Sequence, residues 1–400
     1  MYNLVNALRP AGLACIVTLL QCQLPASQAP LPHDARGAST AADFPPVVLI
    51  AIDGVRWQEI YRGVDPALAR AAGLGNDEHT SAAELMPNLW GLIEKRGVAL
   101  GHPDLEGRVE ATGPNYLSMP GYTEMLTGRA PTSCPDNGCR PRLPGTLADE
   151  FRAIEGARDG DVAVISSWER IEHIAAANPG RIVVSTGREG GVTRDRLRQD
   201  PESSALLDEA ARAAPWPGTA DFRPDRYTAA IGLRYLAQSR PRFLFLGLGE
   251  PDEFGHHGDY RGYLASLRHV DHVIGEVVKA LDTMAETGRR PLLFITTDHG
   301  RSHGFRDHGE ESPESRTVWM VAAGGDIPAL GVIPLSRTRH LADLGPTLRA
   351  LAGLPPDTAP GAGSAIAEIV DPARRNALAP VAAASMPRGL ARAPGDRRAW

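Results

Sequence analysis

Residues 242–256 read Arg-Phe-Leu-Phe-Leu-Gly-Leu-Gly-Glu-Pro-Asp-Glu-Phe-Gly-His, and residues 291–300 read Pro-Leu-Leu-Phe-Ile-Thr-Thr-Asp-His-Gly. After Arg242 and Pro291, each is an unbroken apolar run that turns polar within a few residues. A run that is apolar at every position predicts a strand buried on both faces. Between them, Tyr260 to Glu286 sets Leu264, Leu267, Val270, Ile274, Val277, Val278 and Leu281 along one broad face, which predicts a long helix. Strand, helix, strand is the unit from which parallel sheets are built.

The same pattern extends outward. Pro46 to Ile52 is a further fully apolar run, closed by Asp53-Gly54. Val162–Ser166, Arg181–Ser185 and Val318–Ala323 read as strands. Leu85–Arg96, Ser118–Leu126, Leu147–Ile154, Tyr227–Gln238 and Leu341–Leu351 read as helices. Residues 186–222 have no clean period and read as an irregular insertion with one helix. No internal repeat is present. The alternation predicts an α/β fold, a mostly parallel central sheet flanked by helices on both faces. Ligand sites in such sheets form outside the carboxyl ends of the strands. Asp53, Asp252 and Asp298-His299 each stand just past a strand end, so all three clusters can converge on one site.

Composition fits a large folded domain. Of 400 residues, 42% are apolar and 22% charged, which excludes global disorder. The 42 glycines and 34 prolines imply many turns, and without a three-residue period they exclude a collagen-like chain. A net charge of −6 disfavours nucleic acid as the main partner. Residues 1–29 hold one charge, Arg9, then an apolar run from Ala11 to Leu20 and small residues at Ser27-Gln28-Ala29. That is the pattern of a cleaved signal peptide, with a run too short to span a bilayer. No other stretch approaches 18 apolar residues, so no stable membrane span is expected, and a periplasmic or secreted location is. Residues 30–45 read as a linker, 46–372 as the folded domain and 373–400, rich in Ala, Pro and Arg, as a disordered tail. Past the leader the cysteines are Cys134 and Cys139, in Cys-Pro-Asp-Asn-Gly-Cys. Turn formers between them let the ends meet, and an oxidising compartment then favours a small-loop disulfide. Oligomeric state is left open.

Asp252 and His256, four apart, can bind one metal ion, as can the adjacent Asp298 and His299. Each pair alone is as well explained by hydrogen bonding in a loop. His308 adds an imidazole, and this clustering favours a metal. Ser118 precedes a helix start, where free N–H groups suit an anion, and Pro120 suits the first turn. A serine hydroxyl needs a base or a metal to become a nucleophile. No Gly-x-Ser-x-Gly surrounds Ser118, so a metal-coordinated alkoxide fits better than a His-paired serine. The plainer alternative is that Ser118 is a helix cap.

Taken together, Ile-Asp53-Gly-Val, Ser118-x-Pro, Pro-Asp252-x-x-Gly-His256, Thr-Asp298-His299-Gly and Asp-His308-Gly resemble the alkaline phosphatase superfamily. Leu344-Gly-Pro-Thr-Leu-Arg-Ala-Leu-Ala-Gly-Leu resembles its closing helix. The resemblance covers about residues 46–370 and looks closest to the type I phosphodiesterase and nucleotide pyrophosphatase branch. It implies two divalent ions, zinc before manganese or iron. Asp53, Ser118, Asp298 and His299 would hold one ion, and Asp252, His256 and His308 the other. It also implies Ser118 as nucleophile, a phosphoseryl intermediate and a small-molecule phosphate ester as substrate, a diester before a monoester.

The chain departs from the family pattern in places. Nucleotide phosphodiesterases commonly carry asparagine where Gly121 stands, and Asn115 is a substitute phosphate contact. Arg129, Arg301 and Arg56 are candidates for the arginine clamp of monoesterases. The sulfatase pattern needs arginine where Tyr122 stands, which ranks a sulfuric ester hydrolase second. A catalytically inactive binding protein on the same fold is the further alternative. Trp57 is a candidate pocket residue, Asp307 a candidate partner of a ligand, and Asp271 a structural hydrogen-bonding group. The pocket walls are expected from 102–117 and 186–222.

Overall fold

A computed structural model describes residues 44–370. The leader 1–29, the linker up to residue 43 and the tail 373–400 lie outside the described residues. The strands are β1 (Val47–Ile52), β2 (Gly97–Leu100), β3 (Val109–Glu110), β4 (Val162–Ser166), β5 (Val183–Thr186), β6 (Phe243–Leu248), β7 (Leu292–Thr296), β8 (Thr317–Val318), β9 (Met320–Gly324), β10 (Gly331–Val332) and β11 (Arg339–His340). Eight of them form one sheet in the order β10-β2-β9-β7-β1-β6-β4-β5, and β11-β3-β8 form a small second sheet. From β7 to β5 every neighbouring pair is parallel; β9 runs antiparallel to both β7 and β2. The α/β architecture expected from the sequence is the one observed.

The continuous apolar runs are explained by burial on both faces. Val48, Ile50 and Ile52 point into one core, with Leu264, Leu267, Val270 and Ile274 of the long helix. Val47, Leu49 and Ala51 point into the other, with Met119, Tyr122, Met125 and Leu344. A strand between two apolar layers has no solvent face on which to place a polar residue.

β1 sits between β6 and β7 in parallel register, Ile52 opposite Leu248 and Ala51 opposite Thr296. The three runs therefore end at the same edge of the sheet. The polar residues that follow each are thereby delivered to one edge.

Several elements differ from the sequence reading. Val318–Ala323 is not one strand: it breaks at Trp319, with β8 in the small sheet and β9 in the large one. Trp319 is buried, and its indole donates to the Val55 carbonyl at 3.1 Å. Residues 186–222 hold two helices, Arg194–Leu197 and Pro201–Arg212. Asp252 and His256 stand not in a loop but on a helix, Glu250–His257. No helix among the described residues is long and apolar enough to cross a membrane.

Candidate metal centre

The Asp53 N–H donates to the Leu248 carbonyl at 2.9 Å, which ties the ends of β1 and β6. Gly54 then turns the chain with φ +62°, a value that favours glycine. A side chain at Gly54 would overlap the Asp252 carboxylate. The Gly54 N–H donates to Asp298 Oδ1 at 3.1 Å, and Val55 N–H to Thr297 Oγ1 at 3.0 Å. The β1 turn is thus stitched to the end of β7.

The Glu250–His257 helix has Pro251 in its first turn. Spacing of i and i+4 places Asp252 and His256 on one face, and His256 Nε2 lies 3.0 Å from Asp252 Oδ2. His308 arrives on a separate loop. Its Nε2 is 3.1 Å from His256 Nε2 and 3.8 Å from Asp252 Oδ1. Its Nδ1 is 3.0 Å from the Tyr116 carbonyl. A carbonyl accepts only from N–H, so the Nε2 lone pair is left facing Asp252 and His256. Tyr116 thus orients His308, whereas Asp307 is exposed and uses its backbone carbonyl to accept from Ser302.

Ser118 begins a helix, Ser118–Thr127, buried from Ser118 to Leu126. Ser118 Oγ is 3.4 Å from Asp53 Oδ1 and 3.3 Å from His299 Nε2. His299 Nε2 is 3.4 Å from Asp53 Oδ1 and from Asp298 Oδ2, and its Nδ1 faces the Gly300 carbonyl at 2.8 Å. All seven residues singled out in the sequence are thereby brought together. Two groups, Asp53-Asp298-His299 and Asp252-His299-His308, have ligand-type atoms within 4.8 Å of one another.

These residues fit divalent ions. Asp298 Oδ2 is buried and has no hydrogen-bond partner, a state that carries a desolvation cost unless a cation meets it. Burial, with the charges of Asp298 and Asp252, pushes Asp53 up to about 8. Burial pulls His299 down, but Asp298, Asp53 and Asp252 outweigh it and carry it up to about 10. Burial and the neighbouring His299 push His308 down to about 3, which keeps it neutral. Burial opposes ionisation of Asp252, yet Arg301, His308 and His256 together hold its carboxyl well below the usual range. The pocket field is negative, and its atoms are carboxylate oxygens and imidazole nitrogens, a set suited to zinc, manganese or iron.

Other expectations resolve differently. Arg301 is buried and ion-paired with Asp252, Arg56 with Glu59, and Arg129 with Asp357. The three proposed clamp arginines are therefore engaged. Trp57 packs against the core and under Arg62. Asp271 accepts from the amides of Asn88 and Leu89, the structural role expected. A side chain at Gly121 would overlap the Asp298 carbonyl, so close packing accounts for the missing asparagine. Asn115 lines a separate cavity with Pro114 and Pro131. Of the first-turn amides expected at Ser118, that of Met119 is taken, donating to Asn137 Oδ1 at 2.9 Å, Pro120 has none, and the Ser118 N–H makes no hydrogen bond among the described residues.

Beside Ser118 a cleft of about 100 Å³ is lined by Asp53, Asn137, Trp168, Phe222, Gly249, Asp252, Glu253 and His256. Of the wall segments expected from sequence, only Phe222 contributes. The sequence marks Asn137 only as a turn former and gives Trp168 and Glu253 no role. Burial and the charges of Asp252 and Asp53 push Glu253 up to about 8. Cys134 and Cys139 come together as a candidate disulfide, Cα atoms 5.3 Å apart, closing the loop that carries Asn137.

A family model described as the metalloenzyme superfamily matches residues 219–355, the stretch that holds Asp252, His256, Asp298, His299 and His308. The chain is 28% identical over 264 residues to a 2,3-bisphosphoglycerate-independent phosphoglycerate mutase of Cereibacter sphaeroides; the match takes in 64% of this chain and 45% of that protein. The chain thus covers less than half the length of the curated relatives it matches. Phosphonate monoester hydrolase of Agrobacterium radiobacter superposes with a TM-score of 0.51 and 15% identity, over 82% of this chain and 77% of that one. The lipoteichoic acid synthase LtaP of Listeria monocytogenes gives 0.53 and 10%, over 84% and 80%. These structures share the fold, and the family match takes in five of the seven site residues, with Asp53 and Ser118 outside it. The fold is thus alkaline phosphatase-like, and residues 219–355 match the metalloenzyme superfamily.

Proposed function

We propose that this chain is an exported, metal-dependent phosphoric ester hydrolase, with a phosphodiester preferred over a monoester and Ser118 as nucleophile. The observation that carries the reading is the position of Ser118 Oγ, 3.4 Å from Asp53 and 3.3 Å from His299, at the edge of a pocket holding three buried carboxylates. Asp53, Ser118, Asp298 and His299 would hold one divalent ion, and Asp252, His256 and His308 the other, with zinc preferred. Bound there, the ions supply positive charge that lowers the serine pKa and offsets charge building on the phosphoryl oxygens. Ser118 Oγ attacks phosphorus, the P–O bond to the leaving group breaks, and a phosphoseryl group forms. Water then attacks phosphorus, the P–Oγ bond breaks, a proton of that water returns to the serine oxygen, and phosphate leaves, as its monoester where the substrate is a diester. His299 fixes the hydroxyl in place, and Trp168 and Phe222 wall the cleft on the substrate side.

The sulfatase alternative is disfavoured by Tyr122, buried where that chemistry requires arginine, and by three imidazoles in the donor set. Export is proposed on the leader pattern of residues 1–29 and agrees with the Cys134–Cys139 pairing. The test is elemental analysis of purified protein with a panel of aryl esters: phosphate monoester, phosphate diester, phosphonate monoester and sulfate. Two equivalents of zinc with turnover of a phosphate ester is the expected result. Failure to bind any divalent ion, or turnover confined to the sulfate ester, would overturn the reading. Amino-terminal sequencing of the protein recovered from a periplasmic fraction tests export.

A further inference from the structure

The cleft around Ser118 holds Asp53, Asp252 and Glu253, none of which, when ionised, can donate a hydrogen bond to an anionic phosphoryl group. Of the first helix amides, that of Met119 is already taken by Asn137 Oδ1 at 2.9 Å, which leaves only the Ser118 N–H. A backbone N–H can be accepted only by the oxygen of a side-chain amide. That bond therefore fixes which way the Asn137 amide faces. Its Nδ2 makes no hydrogen bond among the described residues, while Asn137 lines the cleft together with Ser118.

The loop is held at three points. Cys134 and Cys139 join its ends, Arg170 Nη1 donates to the Asn137 carbonyl at 3.1 Å, and Gly138 N–H donates to Asp136 Oδ1 at 2.7 Å. So much bracing around one half-buried asparagine is more than a surface turn requires.

We infer that Asn137 is a catalytic residue whose Nδ2–H donates to a phosphoryl oxygen of the ester attacked by Ser118, the Cys134–Cys139 loop holding it there. The inference rests on the phosphoryl-transfer reading. The side-chain amide takes the helix N–H on its oxygen and leaves its nitrogen free to donate in the cleft that it lines with Ser118. As charge gathers on the phosphoryl oxygens in the transition state, this donor strengthens without having to reorganise.

Two substitutions separate the donor from the helix cap. Asn137→Asp keeps an acceptor for Met119 N–H but removes the donor. Asn137→Ala removes both and adds no charge. The loss common to the two reports the donor; the thermal midpoint, which only the alanine variant should lower, reports the cap. The measurements are kcat and KM on an aryl phosphate ester, inhibition by inorganic phosphate and the thermal midpoint, all on zinc-loaded protein. Both variants should lose about a hundredfold in kcat/KM and bind inorganic phosphate more weakly. Cys134→Ser with Cys139→Ser should show a smaller loss in the same direction. Near-wild-type turnover and phosphate inhibition in both Asn137 variants would overturn the assignment while leaving the function intact. A wild-type protein no more active than Ser118→Ala would instead overturn the proposed function itself.

Discussion

Asp225 and Glu250 hold the starts of each other's helices: Glu250 N–H donates to Asp225 Oδ2 at 2.9 Å, and Asp225 N–H donates to Glu250 Oε1 at 3.1 Å. Asp225 Oδ1 also accepts from Gly249 N–H and from the Ser167 hydroxyl. Asp225 is fully buried. The helix it caps carries Asp252 and His256, so their position depends on a residue in a different helix.

Asp225→Ala should leave those amides unpaired and loosen the Glu250–His257 helix. Loss of a capping residue costs about 1 kcal/mol, and buried unpaired donors add to that. Ion affinity at Asp252, His256 and His308 should fall on the order of tenfold to a hundredfold, with the Asp53, Asp298 and His299 site less affected. Competition with a chromophoric chelator resolves the two steps. Equal loss at both sites, or none, would contradict the link.

Ser118→Ala should lower turnover on the order of a thousandfold or more. Both ions should stay bound, because Asp53, Asp298 and His299 keep their places through backbone register and not through the serine. Rapid acid quench of wild-type protein with substrate, followed by peptide mass analysis, should show a phosphoryl group on Ser118. Retention of turnover in the alanine variant would exclude the covalent route.

Glu124 gives a pH prediction. It lies on the Ser118 helix, fully buried, and accepts from Thr112 N–H, the Thr112 hydroxyl and Ala342 N–H. Burial outweighs these bonds and pushes its carboxyl up to about 7. A folded-state value above the unfolded one means that the folded chain keeps a proton that the unfolded chain has lost. Stability therefore falls as pH rises from about 4.5 to 7 and levels above that, by up to about 3 kcal/mol from this group. Glu124→Gln removes the group. Urea titrations across this range should show wild type losing stability relative to the variant; parallel profiles would contradict the assignment.

The sequence exposed the centre of the fold because three adjacent strands are buried on both sides and so are apolar at every position. Their polar ends then stood out at Asp53, Asp252 and Asp298. What it hid depended on contacts far along the chain. The Glu250–His257 helix reads as a loop because Pro251 and Gly255 are poor helix formers; Pro251 is harmless in the first turn, and the cap comes from Asp225. Val318–Ala323 splits because the two halves pair with different sheets, and no local pattern records the Trp319 bond to Val55. Asn137 looked like a turn residue because its partner, Met119, is eighteen positions upstream.

The helix glycine of Pro-Asp-x-x-Gly-His has a definite steric reason. A methyl group at Gly255 would overlap the Arg301 guanidinium, which is buried, ion-paired with Asp252 and hydrogen-bonded to the carbonyls of Phe305 and Arg306. The backbone at Gly255 is helical, so alanine there carries no conformational penalty and by itself favours the helix. Any loss in Gly255→Ala must therefore come from displacing Arg301. Breaking a buried ion pair from one side costs about 3–5 kcal/mol, so Gly255→Ala and Arg301→Ala should each be strongly destabilising. In the double variant the methyl group meets no guanidinium, and the cost of Gly255→Ala should largely vanish. A double-mutant cycle by urea unfolding should thus give a coupling of more than about 1 kcal/mol. Additive losses would mean that Gly255 is needed for something other than room for Arg301.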